Sequence, residues 1–262
     1  MNERNSVIML ANQRREKILD VIREDGTATV KMLSKMFRVT EVTIRQDLEK
    51  LEKEGIVARE HGGAYLKNVT THVRNFTVMN QDNLDKKSKI GIKAASLIQD
   101  GDTIILDSGS TTTEIAKNIG DYSNLTVITN ALNIAAILGG VPGINVIVTG
   151  GEFKAPTLSL TGQKAADFFD GIYVDKLFLA TAGISLKSGL TYPSISDIVV
   201  KKAMIESAEE VYLVADSTKI GKSAFASLGA LSLIDHVITD SEIKEKDKQI
   251  FRENEIEFII AE

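Results

Sequence analysis

The sequence predicts an N-terminal winged helix-turn-helix domain joined to a larger open α/β domain, on three observations. Three short segments in the first quarter repeat apolar residues at helical spacing and end in two strand-like stretches around a Gly-Gly turn. From residue 86 onward, short apolar strands alternate with helical segments. The charge also changes sign along the chain: residues 1–67 hold 13 Lys and Arg against 11 Asp and Glu, net +2, whereas residues 68–262 hold 18 against 25, net −7. A polyanionic partner therefore belongs to the first quarter, although the whole chain carries −5.

Composition excludes several classes. With 262 residues, 43% hydrophobic, 26% charged and only three prolines, the chain is neither disordered nor of low complexity. Zero cysteines remove disulfides, a thiol nucleophile and thiolate metal sites, and His61, His72 and His236 lie too far apart for a local metal motif. No metal and no cofactor are expected. No run reaches the roughly 18 apolar residues a membrane helix needs, and Val7 to Ala11 is too short for a signal-peptide core. A soluble cytoplasmic protein without a membrane partner is the expectation.

In the first quarter, Arg14 to Asp25 reads as a helix with Ile18, Leu19 and Ile22 on one stripe and Gly26 as its stop. Thr27 or Thr29 can cap a second helix carrying Met32, Leu33 and Phe37. After a break at Arg38 and Val39, Thr40 caps a third helix running to Gly55, with Ile44, Leu48 and Leu51 facing inward. Its other face presents Thr43, Arg45, Gln46 and Lys50, donors suited to a major groove, where Arg bridges guanine O6 and N7 and Gln pairs with adenine. Ile56 to Glu60 and the turn at His61-Gly62-Gly63 form a wing that can touch phosphates through Arg59 and His61. Helix pairs of this kind also serve as interaction domains, and a polar helix face is often only solvated.

Lys67 to Asp85 lacks periodicity and reads as a linker, so the boundaries fall at 11–66, 67–85 and 86–262. Beyond it come a helix through Ile98 and apolar strands at 103–106, 125–128, 145–148, 176–179, 211–214, 236–238 and 256–260. Helical segments at 114–119, 134–138, 164–169 and 199–208 separate most of them, which argues for a mostly parallel sheet covered on both faces. Ligands in such folds sit at the carboxyl ends of strands. The first strand is followed by Asp107-Ser108-Gly109-Ser110-Thr111-Thr112, a hydroxyl-rich loop opening a helix, in chemical terms a cradle for phosphate. The bland alternative is that Ser110 or Thr112 simply caps that helix. Other strand ends supply Thr129-Asn130, Gly150-Gly151 and Asp216-Ser217-Thr218-Lys219, where Lys219 offers a point charge, while Asp197 at a helix start can accept from hydroxyls.

Two resemblances sharpen this reading. The string Val39 to Leu48, with Leu51 to Ile56 and Arg59 to Ala64, closely resembles the DNA-binding domain of the DeoR family of bacterial repressors. Gln46 stands where many members carry a basic residue, which bears on the operator sequence. Asp107 to Thr112, Thr129-Asn130, Gly150-Gly151, Gly189-Leu190-Thr191, Val200 to Ile205 and Asp216 to Lys219 resemble that family's sensor domain, a Rossmann-like fold similar to ribose-5-phosphate isomerase. The resemblance implies a repressor of carbohydrate catabolism controlled by a phosphorylated sugar. It places Asp107 to Thr112 and Lys219 at the phosphate, and Asn130, Gly151 and Asp197 near the sugar. Ser185 replaces an acidic residue common in the family after Gly-Ile.

An isomerase-type enzyme is the competing reading. The segment Thr181 to Ser185 lacks the carboxylates such an enzyme needs at that strand end, so no catalytic residue is assigned. A sequence-tolerant DNA binder would need a more basic surface than +2. One small module makes few base contacts, so a homo-oligomer reading repeated half-sites on double-stranded operator DNA is expected.

Overall fold

The computed structural model describes residues 10–25, 27–60, 62–66, 82–155 and 157–262. The chain divides into two compact units, Met1–His72 and Val73–Glu262. Most of the expected linker, 67–81, lies outside the described residues.

The first unit contains α1 (Ala11–Asp25), β1 (Thr27–Thr29), α2 (Val30–Phe37), α3 (Glu41–Lys53), β2 (Val57–Glu60) and β3 (Gly63–Leu66). Thr29 is the residue that caps α2, accepting the Met32 N–H at 3.1 Å. The segment read as a capping region is also a strand: β1 pairs antiparallel with β3, so the wing has three strands in the order β1-β3-β2. Three residues that find their partner nearly forty positions away leave no local periodicity to read. Arg38, at φ 52°, ends α2 in the left-handed region, and Thr40 then accepts the Thr43 N–H to start α3. Ile44, Leu48 and Leu51 pack with Ile18, Ile22, Leu33 and Val57 into one small core.

The second unit is built on seven parallel strands. In chain order they are β4 (Thr103–Leu106), β5 (Leu125–Thr129), β6 (Ile144–Val148), β9 (Val174–Ala180), β12 (Ala208–Val214), β14 (His236–Asp240) and β15 (Glu257–Ala261). Their spatial order is β15-β14-β12-β9-β4-β5-β6. All seven expected strands join this one sheet. Helices α4 (Leu84–Ala95), α5 (Ser110–Ala116) and α6 (Leu132–Leu138) supply one core with Ile104, Leu106, Phe178 and Val214. Helices α7 (Gln163–Asp167), α8 (Ile195–Glu206) and α9 (Glu245–Glu253) supply the other with Ile105, Leu177, Leu179 and Leu213. Successive strand residues thus feed opposite cores, the two-faced burial expected of a parallel sheet.

Four features depart from the sequence expectation. The helix after β4 starts at Ser110, four residues ahead of the expected Glu114. A hairpin of β7 (Glu152–Lys154) and β8 (Ser159–Thr161), and a small antiparallel sheet of β10 (Gly183–Ser185), β11 (Gly189–Tyr192) and β13 (Ala226–Gly229), stand apart from the main sheet. Their strands hold three or four residues each, too few to show alternation. The amphipathic α9 likewise had no place in the sequence reading.

The chain leaves β4 toward β5 and β6, then returns to place β9 on the other side of β4. The strand order therefore reverses between β4 and β9, and the crevice at their carboxyl ends is where ligands bind in open α/β sheets. Close helix packing fixes one wall: a Cβ on Gly91 of α4 would lie 2.6 to 2.9 Å from Cβ, C and O of Glu114 on α5. Gly91→Ala is expected to destabilise the second unit by about 1–3 kcal/mol through overpacking, read as a lowered urea midpoint of the full chain.

Candidate functional site

In the first unit, Thr40, Arg45, Gln46 and Lys50 are exposed and Thr43 is half-buried, so α3 offers a polar outer face. The Thr40 and Thr43 hydroxyls lie 3.0 Å apart. Arg45 pairs with Glu41 at 2.7 Å, one turn back on the same helix. On the wing, Arg59 donates from Nε to Glu52 at 2.7 Å, and its backbone N–H donates to the other oxygen of the same carboxylate. His61 lies outside the described residues. Val42, unnoticed in the sequence, exposes 59% of its surface near the start of α3, where an apolar group can meet a thymine methyl.

What holds α3 was also missed. Asp47 is buried and receives Arg14 Nε at 2.5 Å and Arg15 at 3.4 Å, so two cations of α1 grip the inner face of α3. The available signal was its spacing: Ile44, Asp47, Leu48 and Leu51 share the inward stripe, and a charge there needs a partner.

In the second unit, the expected residues Asp107 to Thr112 and Asn130 meet at the carboxyl ends of β4 and β5. Asp107 is fully buried; Lys201 of α8 lies 2.6 and 2.5 Å from its two oxygens, and the Ala180 N–H donates at 3.1 Å. Burial raises its carboxyl above the usual carboxylate range, against the pull of Lys201. Asp107 therefore joins the ends of β4 and β9 from beneath. Tyr192 donates to the Ala180 carbonyl at 2.7 Å, with Lys201 Nζ 4.8 Å from its ring centre. Burial and then the Asp107 carboxylate push the Tyr192 hydroxyl well above its ordinary value.

The hydroxyl cluster divides in two. Thr111 and Thr112 are buried, and the hydroxyls of Thr112 and Thr113 donate back to the Gly109 carbonyl at 3.0 and 2.6 Å. Ser108, Gly109 and Ser110 keep partial exposure. No side chain caps α5, so the simple capping alternative is not what occurs. Gly109 is required by its neighbour, since a Cβ there would meet the Ala180 Cβ at 2.6 Å. Asn130 is buried and acts as a brace, accepting the Ser108 N–H at 3.0 Å and donating to the Leu160 carbonyl at 3.1 Å. Gly151, at φ 121°, is exposed at the start of the β7–β8 hairpin, where a Cβ would strike Thr161 O and Ala165 Cβ at 2.8 Å.

Asp197 is buried in a 2.9 Å pair with Lys154 of that hairpin. One turn along the same helix lies Lys201, so α8 holds both the hairpin and the loop after β4. Neither lysine was identified from sequence, although Asp197, Lys201 and Met204 share one face of α8 at i, i+4, i+7. Lys219 is half-buried in the 217–219 turn, which Asp216 caps by accepting the Thr218 N–H at 3.0 Å. Lys87 of α4 is buried; burial and then the Lys219 ammonium hold its amine below the usual lysine value. Ser185 meets Ser223 at 3.0 Å.

Residues 14–70 match the family model of the DeoR-like helix-turn-helix domain, and residues 82–241 match that of the DeoR C terminal sensor domain. The chain belongs to the DeoR family. The HTH-type transcriptional repressor GlcR of Bacillus subtilis is 32% identical over 97% of this chain and 98% of its own. The glycerol-3-phosphate regulon repressor of Escherichia coli is 31% identical over 89% and 92%. Ribose 5-phosphate isomerase A from Methanocaldococcus jannaschii overlaps 53% of this chain and 55% of its own at 18% identity and a TM-score of 0.39. These DeoR relatives are named as repressors, and this DeoR chain is a DNA-binding regulator with a small-molecule sensor domain, not an enzyme. No helix among the described residues is long and apolar enough to cross a membrane.

Two outcomes follow from these contacts. Asp47→Ala leaves Arg14 and Arg15 without their buried partner, and should cost the helix-turn-helix unit about 3–5 kcal/mol, read as an earlier first transition in thermal unfolding of the full chain. Asp240 is the second case. Burial alone would raise its carboxyl, but hydrogen bonds from the Ser217 N–H and hydroxyl hold it below the usual value. A lowered folded value means stability present near neutral pH and lost as pH falls through that value. Asp240→Asn should flatten the acid limb of the stability curve, measured by urea unfolding between neutral and acidic pH.

Proposed function

We propose that this protein represses an operon of carbohydrate catabolism and is controlled by a phosphorylated sugar bound in the crevice between β4 and β9. The observation that carries the reading is the partly exposed Ser108-Gly109-Ser110 segment at the strand-order reversal, fixed from below by the Asp107–Lys201 pair and from the side by Asn130. A phosphate accepts hydrogen bonds from such hydroxyls and backbone N–H groups, and it relieves the mutual repulsion of Lys87 and Lys219. A relative named for the glycerol-3-phosphate regulon supports a phosphorylated effector. Asp107, Thr111, Thr112, Asn130 and Asp197 shape the crevice, while Ser108, Gly109, Ser110, Gly151 and Lys219 face the ligand.

Operator reading falls to Thr40, Thr43, Arg45, Gln46 and Lys50 of α3, with Arg59 and His61 on the phosphates. Arg45 exchanges Glu41 for a base edge, so the free protein keeps its guanidinium satisfied until DNA arrives. Two copies reading repeated half-sites give the affinity that one module lacks. The effector acts by binding one arrangement of the oligomer better than another.

Arg45→Ala should lose operator binding by at least tenfold in a mobility-shift assay yet keep the ligand-induced thermal shift, and Lys219→Ala should do the reverse. A screen of sugar phosphates by thermal shift identifies the effector, since ligand at 100 times its dissociation constant adds about 2.7 kcal/mol. An operator affinity indifferent to every phosphosugar in that screen would overturn the sensing half.

A further inference from the structure

Residues 122–151 include no Asp, Glu, Lys, Arg or His, in a chain that is 26% charged. This stretch forms β5, α6, β6 and their connections. Strand β5 is interior, but β6 closes its side of the seven-stranded sheet and, among the described residues, pairs with β5 alone. None of its five residues is buried. Ile144 and Val146 pack on one core and Ile147 on the other, so both apolar layers run out to the edge. Beside it, Val148 is 37% and Leu132 of α6 39% exposed, and Ala136 is exposed as well. A lone edge strand ordinarily carries a charge, a proline or a bulge against wrongful pairing. Ile144 to Val148 has no charge and no proline, and its register with β5 is unbroken. The opposite edge, β15, is bracketed by exposed Glu257 and Glu262.

We infer that β6, with α6 alongside, is the surface through which two copies of this chain associate, pairing their β6 strands antiparallel about a two-fold axis at Val146. The inference rests on the oligomeric reading above and names the contact it uses. Charge selects the occupant. Residues 68–262 carry −7, so two copies repel over most of their surface. At a two-fold contact every charge near the axis meets its own image, and a face without charges escapes that cost. Pairing about Val146 sets Ile144 against Val148, β-branched neighbours that pack well on a pleated surface, and Asn145 against Ile147. The outward N–H and C=O groups of β6 gain partners in the same step.

The test is the mass of the full-length protein in solution by light scattering at micromolar concentration. Asn145→Lys, at an exposed position, should halve the wild-type mass and leave the far-ultraviolet circular dichroism spectrum unchanged. Mixing Asn145→Lys with Asn145→Glu in equal amounts should restore it, which a misfolded variant would not do. Wild-type mass in both single variants would overturn this surface while leaving an oligomer in place. A monomeric wild type would overturn the oligomeric reading itself.

Discussion

The crevice depends on one buried ion pair. Asp107 and Lys201 are both sealed from solvent, and two charges removed from water are tolerable only when each satisfies the other. The carboxylate also accepts the Ala180 N–H, so the pair fastens β4 to β9 where the strand order reverses and a sheet otherwise parts. Removing the ammonium alone would leave a buried carboxylate to protonate, while removing the carboxylate would strand a buried cation under the loop. Beneath the loop's partly exposed hydroxyls, the Asp107 carboxylate is already paired with Lys201.

Helix α8 extends that constraint. Asp197 and Lys201 stand one turn apart on it, the first holding Lys154 of the β7–β8 hairpin and the second holding Asp107. A shift of α8 would disturb the hairpin and the loop together, because neither buried charge can be left behind. The helix-turn-helix unit uses the same device on a smaller scale. Asp47, gripped by Arg14 and Arg15, fixes the rotation of α3 about its axis, and that rotation decides which side chains are presented outward.

Much of this was legible. Seven apolar strands separated by helices announced a parallel sheet, and the burial of alternate residues on its two faces is what such runs imply. The inward stripe Ile44, Leu48 and Leu51 and the Thr40 cap located α3. The short strands β1, β7, β8, β10 and β13 were not legible, because three or four residues are too few to show alternation, and for β1 and β13 the partners are also distant in the chain. Asp107 was singled out in the motif but its buried partner was not, since Lys201 lies 94 positions away.

The sequence by itself determined the order of elements, the outward polar face of the third helix and the family, because these follow from local spacing and from motifs read along the chain. Only the tertiary structure decided which polar residues of the motif stay partly exposed and which face the core. That division depends on long-range pairs, Asp107 with Lys201, Asp197 with Lys154 and Asn130 with Leu160, and a charge in a sequence does not reveal whether water or a distant partner will satisfy it.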